Sequence, residues 1–240
     1  MNHARLLVFD WDGTLMDSVG TIVACTQAVI RELELGELPE QTIRGTIGLG
    51  LRETVEVLVP GCDDALFETI LETYRRHWHL TFRDTPLLFA GVETMLRDLS
   101  KEGYLLAVAT GKSRRGLDFS LEQTGLRSLF LSTRTADEAF SKPHPQMLLD
   151  ILHDLGVRPA EALMIGDTTF DLEMARNAGT GGIGVCSGSH CREELQRFEP
   201  LACLERVVEL PGWLAAARED RPEDSQIGSL KSDLSPLNRA

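Results

Sequence analysis

The stretch LLVFDWDGTLMDS, residues 6–18, constrains the fold of this chain more than any other. Its first four residues form a continuous apolar run, which is typical of a strand buried on both faces of a parallel sheet. Asp10 follows where such a strand would end, and Asp12 lies two residues further on. Because ligands bind at the carboxyl ends of strands in open α/β sheets, two carboxylates held together there indicate a cation or a shared proton.

The rest of the chain shows two kinds of pattern. Residues 18–86 have the apolar spacing of helices and contain no convincing strand, and the glycines of TIRGTIGLGLRETVEVLVPG, residues 42–61, predict a shaped loop. From about residue 88 onward, apolar runs alternate with helical segments, which indicates βαβ units and a parallel sheet. The predicted fold class is therefore α/β, with a Rossmann-like parallel sheet as the core and an inserted all-α domain.

The predicted elements define the domain bounds. The strands expected after the first are YLLAVAT, ALMIGD and GGIGVCSG, at residues 104–110, 162–167 and 181–188. Core helices are expected at residues 91–103, 113–125, 144–156 and 169–179, and residues 196–217 are expected to close the core as a strand or helix. The predicted units are the core at 1–16 and 87–217, the helical insert at 17–86, and a flexible polar tail at 218–240.

Charge and cysteine content argue against several classes of partner. A net charge of −13 over 240 residues disfavours nucleic acid and anionic membrane surfaces, both of which need clustered Lys and Arg. No apolar run reaches the ~18 residues of a membrane span, and the N-terminus lacks a signal-peptide pattern. Five irregularly spaced cysteines fit reduced thiols better than disulfides. We expect a cytoplasmic monomer or homodimer whose partner is a small molecule.

Chemically active residues follow several predicted strands. After Asp10 and Asp12 they are Thr110, Gly111 and Lys112, then Lys142 in the loop SKPHP, then Asp167 and Asp171. Parallel strands bring these positions to one edge of the sheet. Carboxylates suit Mg²⁺, and the ion and a lysine together neutralise a phosphoryl group, so that a carboxylate nucleophile can attack it. This edge therefore predicts metal-assisted phosphoryl transfer through a phosphorylated aspartate, with a second carboxyl group moving the proton.

Four segments occur in a defined order along the chain: DWDGT (10–14), ATGK (109–112), KP (142–143) and GDTTFD (166–171). In this order they resemble the four motifs of the haloacid dehalogenase superfamily of phosphatases, over about residues 5 to 215. The helical insert resembles the cap domain of the subgroup that includes phosphoglycolate phosphatase. The resemblance implies a Mg²⁺-dependent phosphatase acting on a small, phosphoglycolate-like phosphomonoester. Dehalogenases and the related ion-pumping ATPases lack the aspartate found here at position 12, which favours a phosphatase.

The resemblance also implies a role for each motif residue. Asp10 would be the nucleophile, and Asp12 the general acid and base. The other implied roles are binding of phosphoryl oxygens by Thr110 and Gly111, charge stabilisation by Lys142, ligation of Mg²⁺ by Asp10, Asp167 and the backbone carbonyl of Asp12, and support of metal and lysine by Asp171.

Some assignments stay open at this level. Arg44 in the insert is a candidate for binding a substrate carboxylate, and the alternative is an ion pair with a neighbouring acid on the surface. Lys112 is expected to be a solvated charge at a helix start, with a role as a ligand as the alternative, and Ser18 is expected to cap the first helix of the insert. Two other functions remain as alternatives, a sugar phosphomutase of the β-phosphoglucomutase type and a non-catalytic phosphate-binding protein on the same fold.

Overall fold

The structure is a computed structural model that describes residues 4–81 and 88–219. The expected flexible tail, residues 218–240, lies outside these ranges except for its first two residues. Six parallel strands of the described chain form one sheet in the order β3-β2-β1-β4-β5-β6. They are β1 Leu6–Phe9, β2 Leu105–Thr110, β3 Ser132–Thr135, β4 Ala162–Gly166, β5 Gly181–Val185 and β6 Ala202–Leu204. The prediction of an α/β fold with a parallel sheet is confirmed.

Ten α-helices connect and cover these strands in the described ranges. Those between β1 and β2 are α1 Val19–Glu32, α2 Glu40–Arg44, α3 Leu51–Leu58, α4 Asp64–Thr81 and α5 Val92–Lys101. Those that follow are α6 Arg114–Thr124, α7 Gln146–Leu155, α8 Thr169–Ala178, α9 Arg192–Gln196 and α10 Leu210–Glu219. None of the helices described is both long and apolar enough to cross a membrane.

β1 is the centre of the core because it is buried on both faces. Successive residues of a strand point to opposite faces of its sheet. Leu7 and Phe9 pack in a cluster with side chains of α5, α6 and α10, whereas Leu6 and Val8 pack in a second cluster with side chains of α7 and α8. This double burial explains why the strand that precedes Asp10 is uniformly apolar rather than alternating.

Helices α1–α4, which we call the cap, are built around their own apolar residues. Their buried side chains form two further clusters, one around Ile43 and Leu58 and one around Val55 and Ile70. The chain leaves the core and returns to it at adjacent points, since Met16 pairs with Leu88 in an isolated antiparallel bridge. The bounds of 17–86 for an inserted domain stay a prediction, and residues 82–87 lie outside the described ranges.

The structure adds elements that the sequence patterns did not indicate. β3 has the sequence STRT, in which no apolar run marks a strand, and it lies at the edge of the sheet beside β2. The segment 196–217 contains both a strand, β6, and a helix, α10. Within the stretch 42–61, α3 begins after the extended residue Gly50, so the shaped loop is confined to the residues between α2 and α3.

Candidate active site

Asp10 follows β1 directly and is held by the neighbouring strand. Its backbone amide donates to the carbonyl oxygen of Ile165 in β4 at 2.9 Å, which extends the parallel pairing by one residue. The side chain is buried, and its Oδ1 accepts a hydrogen bond from Lys142 Nζ at 2.7 Å. Its other oxygen, Oδ2, is buried without a hydrogen-bond partner among the described residues. A buried carboxylate oxygen with no donor is open to a cation or an electrophile.

Lys142 lies between two aspartates that come from distant parts of the chain. Its side chain is fully buried, and Nζ donates to Asp10 Oδ1 and to Asp171 Oδ1, each at 2.7 Å. Asp171 is fixed in turn because its Oδ2 accepts from the amide and the hydroxyl of Thr168 at 3.1 and 2.7 Å, the capping arrangement that begins α8. The lysine therefore has a single well-defined position beside Asp10.

Asp167 follows β4 and fills a space that only glycines leave open. Its Oδ1 accepts from the hydroxyl of Thr14 at 2.9 Å, and its Oδ2 accepts from the amide of Ser189 at 2.7 Å. A Cβ atom at Gly13 would lie 2.3 Å from Asp167 Oδ2, and one at Gly188 would lie 1.9 Å from it. Gly13 also has a φ of +80°, which residues with a side chain rarely adopt. The glycine in DWDGT thus admits this carboxylate to the site.

The charges of this cluster do not balance. Ligand atoms of Asp10, Asp167 and Asp171 lie within 4.8 Å of one another, and Lys142 is the ammonium group in contact with two of them. Burial, partly offset by Lys142, raises the pKa of Asp10 to about 7, and burial also raises the pKa of Asp167 well above its usual value. Three buried carboxylates around one lysine carry an excess of negative charge, which favours a divalent cation.

Lys142 itself stays protonated in this environment. Burial alone lowers the pKa of an ammonium group, but the adjacent carboxylates of Asp10 and Asp171 outweigh that effect and raise the pKa of Lys142 above its usual value. The residue is thus a fixed positive charge next to the Asp10 carboxylate. Such a charge can stabilise the negative charge that develops during phosphoryl transfer.

Asp12 has different partners, one of which was assigned wrongly from the sequence. Lys112 Nζ donates to both of its carboxylate oxygens at 2.7 and 2.8 Å, and Ser18 Oγ donates to Oδ1 at 2.5 Å. The expectation that Lys112 is a solvated charge is wrong, because its side chain is 12% exposed and lies over the ring of Trp78. Ser18 does precede α1, but its side chain makes no capping hydrogen bond.

The position of Lys112 in the segment ATGK was the sequence signal that could have predicted its contact with Asp12. The residue comes two positions after Thr110, the last residue of β2, and the carboxyl end of β2 lies beside that of β1. Any long side chain starting at that point can reach the residues that follow β1. Thr110 is itself buried, and its hydroxyl oxygen accepts from the amide of Lys112 at 3.2 Å.

A cavity of about 830 Å³ separates this edge of the sheet from the cap. Asp10, Asp12, Thr110 and Gly111 line its core side. The structure thus brings the two aspartates and the predicted phosphoryl-binding residues together at one wall of one cavity. Asp167 and Asp171 belong to the buried cluster beneath that wall.

Arg44 is the one predicted site residue that the structure places elsewhere. Its Nε donates to Glu40 Oε1 at 2.7 Å within α2, and both side chains are partly exposed. Arg44 does not line the cavity. Arg52 likewise pairs with an acid of the cap, Asp64, at 3.0 Å. The geometry therefore favours the surface ion pair, the alternative that the sequence had left open for Arg44.

A family model described as haloacid dehalogenase-like hydrolase matches residues 7–185, well over half of the chain. The chain belongs to this family. The match covers β1 to β5 and therefore all the residues of the buried cluster.

Curated relatives of this chain are named as phosphatases. "Probable phosphatase IndB" of Dickeya dadantii is 36% identical over 86% of this chain and 92% of its own. "Pyrophosphatase PpaX" of Anoxybacillus flavithermus is 29% identical over 87% and 95%, and "Phosphoglycolate phosphatase" of Psychrobacter arcticus is 28% identical over 89% and 96%. The prediction of a phosphatase-type hydrolase of this family is confirmed.

A protein of known structure has the same fold as this chain. A hydrolase from Pseudomonas syringae superposes with a TM-score of 0.79 at 25% identity, covering 88% of this chain and 98% of the other. The similarity extends over most of both chains, so the overall fold recurs in a protein that shares only a quarter of its aligned residues with this one.

Proposed function

We propose that this chain is a Mg²⁺-dependent phosphatase that hydrolyses a small phosphomonoester through a phosphorylated Asp10. The observation that carries the proposal is the Asp10 carboxylate: one oxygen is held by Lys142, and the other is buried without a partner at the wall of the cavity. A carboxylate nucleophile splits a difficult hydrolysis into two easier displacements. The names of the relatives support a phosphate ester or anhydride as the substrate class.

In the first displacement the Asp10 carboxylate forms a bond to phosphorus while the bond from phosphorus to the alcohol oxygen breaks. Asp12, which lines the same cavity, donates a proton to the departing oxygen. In the second displacement Asp12 takes a proton from water, the water oxygen attacks phosphorus, and the bond to Asp10 breaks. Inorganic phosphate and the original Asp10 carboxylate result.

Three further groups of this chain stabilise the transferring phosphoryl group. Lys142 lies 2.7 Å from Asp10 Oδ1 and supplies a fixed positive charge. The hydroxyl of Thr110 and the amide of Gly111, at the end of β2, are positioned at the cavity wall to donate to phosphoryl oxygens. Asp171 acts through Lys142, whose position it fixes, and is therefore a positioning residue.

The buried cluster fits a divalent cation. It has an excess of negative charge, and Asp10 Oδ2 lacks a partner among the described residues. We propose that Asp10, Asp167 and the backbone carbonyl of Asp12 hold Mg²⁺, which prefers oxygen ligands. When bound, the ion neutralises charge on the phosphoryl group and so lets an anionic nucleophile approach. A cytoplasmic location stays a prediction.

Phosphate release from a panel of esters tests the proposal. The panel contains 2-phosphoglycolate, sugar phosphates, nucleoside monophosphates and pyrophosphate, each with and without Mg²⁺, and Asp10→Asn is measured beside the wild type. We expect turnover only by the wild type with Mg²⁺, and a decrease of at least about 10⁴-fold in the variant, because the nucleophile is lost. Far-ultraviolet circular dichroism serves to show that the variant is folded.

Other outcomes would favour the alternatives. If phosphate is released only slowly but a sugar phosphate is isomerised in the presence of a bisphosphate activator, the chain is a phosphomutase. If no ester of this panel or of the alkyl phosphate series described below is converted under either condition, the non-catalytic phosphate-binding protein is favoured. Equal activity of Asp10→Asn and wild type would rule out Asp10 as the nucleophile.

A further inference from the structure

The cavity beside Asp10 has one polar wall and one apolar wall. Aliphatic and aromatic side chains of α1, α3, α4 and the loop between α2 and α3 form most of its cap side, among them Ile30, Ile47, Val55, Leu58, Leu71 and Trp78. Its volume of about 830 Å³ lies within the range of sites that enclose drug-sized organic molecules, roughly 300–1,000 Å³. A ligand with only a few non-hydrogen atoms would leave most of this space unoccupied.

The space does not result from a cap that has swung away from the core. On one side of the cavity the loop between α2 and α3 lies directly on the core: the amide of Gly50 donates to Ser141 Oγ at 2.8 Å. A Cβ atom at Gly111 would lie 2.4 Å from the carbonyl oxygen of Leu49, and one at Gly48 would lie 3.1 Å from Thr168 Oγ1. The loop therefore touches the residues that follow β2 and β4 at close range.

The other side of the cavity is also bridged. Lys112 Nζ lies 4.8 Å from the centre of the Trp78 ring, and the rings of His79 and Phe119 meet edge to face at 5.7 Å. Trp78 stacks on Tyr74, so that two aromatic residues of α4 stand side by side at the cavity. The cap thus rests on the core at two separate places, with the cavity between them.

The cap residues around the cavity come from both of its apolar clusters. Ile43 and Leu58 belong to one cluster, Val55 and Ile70 belong to the other, and all four line the cavity. Protein interiors are otherwise close-packed, and a void lined by apolar side chains loses both dispersion and hydrophobic stabilisation. A cap that served only to cover a small anion would be more stable with this space filled by its own side chains.

We propose that the substrate is the phosphomonoester of a bulky, largely apolar alcohol, whose body occupies the cavity under the cap while its phosphate lies at Asp10. This inference rests on the proposed phosphatase function and names its substrate class. Thr26, Thr46, Thr54 and Arg75 also line the cap side of the cavity, and Lys112, Arg114 and Arg115 line its core side, so the alcohol can carry a few polar groups. The wall as a whole selects for apolar surface.

Unbranched alkyl phosphates from ethyl to octyl test this directly, used below the concentrations at which they form micelles. All of them release a primary alcohol, so the reactivity of the leaving group is nearly constant and differences report binding in the cavity. We expect kcat/KM to rise by about fourfold for each added methylene until the cavity is filled. 2-Phosphoglycolate, which is short and charged, should be a poorer substrate than hexyl phosphate.

Variants of α1 locate the effect. Thr26 lines the cavity, whereas Ala24 is exposed on the same helix. Thr26→Phe should reduce the ratio of kcat/KM for octyl phosphate to that for ethyl phosphate at least tenfold, because the ring fills space that the longer chain needs. Ala24→Phe, which adds the same ring at an exposed position of this helix, should leave the ratio within twofold of wild type.

The outcomes separate this inference from the proposed function. If 2-phosphoglycolate and ethyl phosphate are hydrolysed with Mg²⁺ but kcat/KM is flat or falls toward octyl phosphate, the phosphatase function holds and the apolar substrate class is wrong. If the wild type hydrolyses no ester of either kind, the function itself fails, and the substrate class fails with it. The series with wild-type protein decides this even where Thr26→Phe does not fold.

Discussion

The catalytic edge of the core and the cap opposite it use charge in different ways. Lys142 is fully buried and bonded to two buried aspartates, so each of these groups depends on the other two. In the cap, the pairs Arg44–Glu40 and Arg52–Asp64 lie at the surface, with side chains that are 31–90% exposed. Removing one partner of a buried pair costs about 3–5 kcal/mol, whereas a surface pair contributes about 0–1 kcal/mol.

This difference indicates that the two regions have separate roles. The edge that we assign to the chemistry is held by interactions that tolerate no change, whereas the cap side of the cavity is lined mostly by apolar side chains, which can be exchanged without leaving a charge unpaired. Substitutions at the edge should therefore affect every ester alike, together with stability. Substitutions in the cap wall should change which ester is preferred.

The largest effect is expected for Lys142→Met. The variant leaves Asp10, Asp167 and Asp171 without a positive neighbour, so we expect the free energy of unfolding to fall by about 3–5 kcal/mol and turnover of all esters to be lost. Urea denaturation in metal-free buffer measures the first effect. Lys101→Met is the matched control, because that lysine is 75% exposed and pairs with Asp98 at the surface.

A loss of less than 1 kcal/mol in Lys142→Met would contradict the comparison between edge and cap. It would mean that the three carboxylates avoid repulsion without the lysine, for example by taking up a proton. Burial raises the pKa of both Asp10 and Asp167, so such a proton would bind to one of these two carboxyl groups.

Metal binding should have the next largest effect and should be confined to the core. Because Mg²⁺ would relieve the repulsion within the cluster, it should bind the folded chain, and at a concentration of 100 times Kd it should raise the free energy of unfolding by about 2.7 kcal/mol. Thermal unfolding with Mg²⁺ and with a chelator measures this. Asp167→Asn should abolish most of the response, whereas Asp98→Asn, at an exposed position, should retain it.

An equal response to Mg²⁺ in Asp167→Asn and wild type would place the ion elsewhere. Calorimetric titration of the wild type with Mg²⁺ would then give the number of sites. A second Mg²⁺ site on the cap would contradict the interpretation that the cap contributes no charge to catalysis.

A smaller effect is expected where the two regions meet, at Lys112. This lysine donates to both oxygens of Asp12 and lies over Trp78 of the cap, so it positions the proposed acid and base. Lys112→Gln should lower kcat by about tenfold, which corresponds to about 1.4 kcal/mol and to the loss of one charge-assisted contact. KM should change less than twofold, and Lys112→Arg should restore most of the activity.

A rise in KM with unchanged kcat would assign Lys112 to substrate binding rather than to positioning of Asp12. A decrease that Lys112→Arg does not relieve would point to packing against Trp78 as the main role. Initial rates of phosphate release, measured at saturating and at limiting ester concentrations, distinguish these cases.

The fold was predictable where burial imposes a pattern. The apolar runs of β1, β2 and β4 marked these strands because both of their faces are covered. β3 was not predictable, because an edge strand with the sequence STRT satisfies its polar side chains locally, as Arg134 does with Asp154. β3 is defined by its backbone pairing with β2 and not by a pattern in its own composition.

The candidate site divides in the same way. Asp10, Thr110 and Asp167 were predictable because each lies at the carboxyl end of a buried strand, and parallel strands end at one edge. Of the partners of Asp12, Lys112 was predictable from its position just after β2, whereas Ser18 was not, because its hydroxyl reaches Asp12 from the start of α1 and not from the end of a strand. The sequence pattern locates the residues at the carboxyl end of a strand, but it does not show which neighbouring side chains contact them.

Arg44→Ala should have the smallest effect of all. Its guanidinium pairs with Glu40 at the surface of α2 and does not line the cavity, so we expect KM for 2-phosphoglycolate to stay within twofold of wild type and stability to fall by less than about 0.5 kcal/mol. Steady-state kinetics and urea denaturation measure the two quantities. A tenfold rise in KM for 2-phosphoglycolate, with no change for ethyl phosphate, would show that α2 turns toward the core during turnover. The cap would then contribute a charge to recognition, and its contrast with the core would not extend to the complex with substrate.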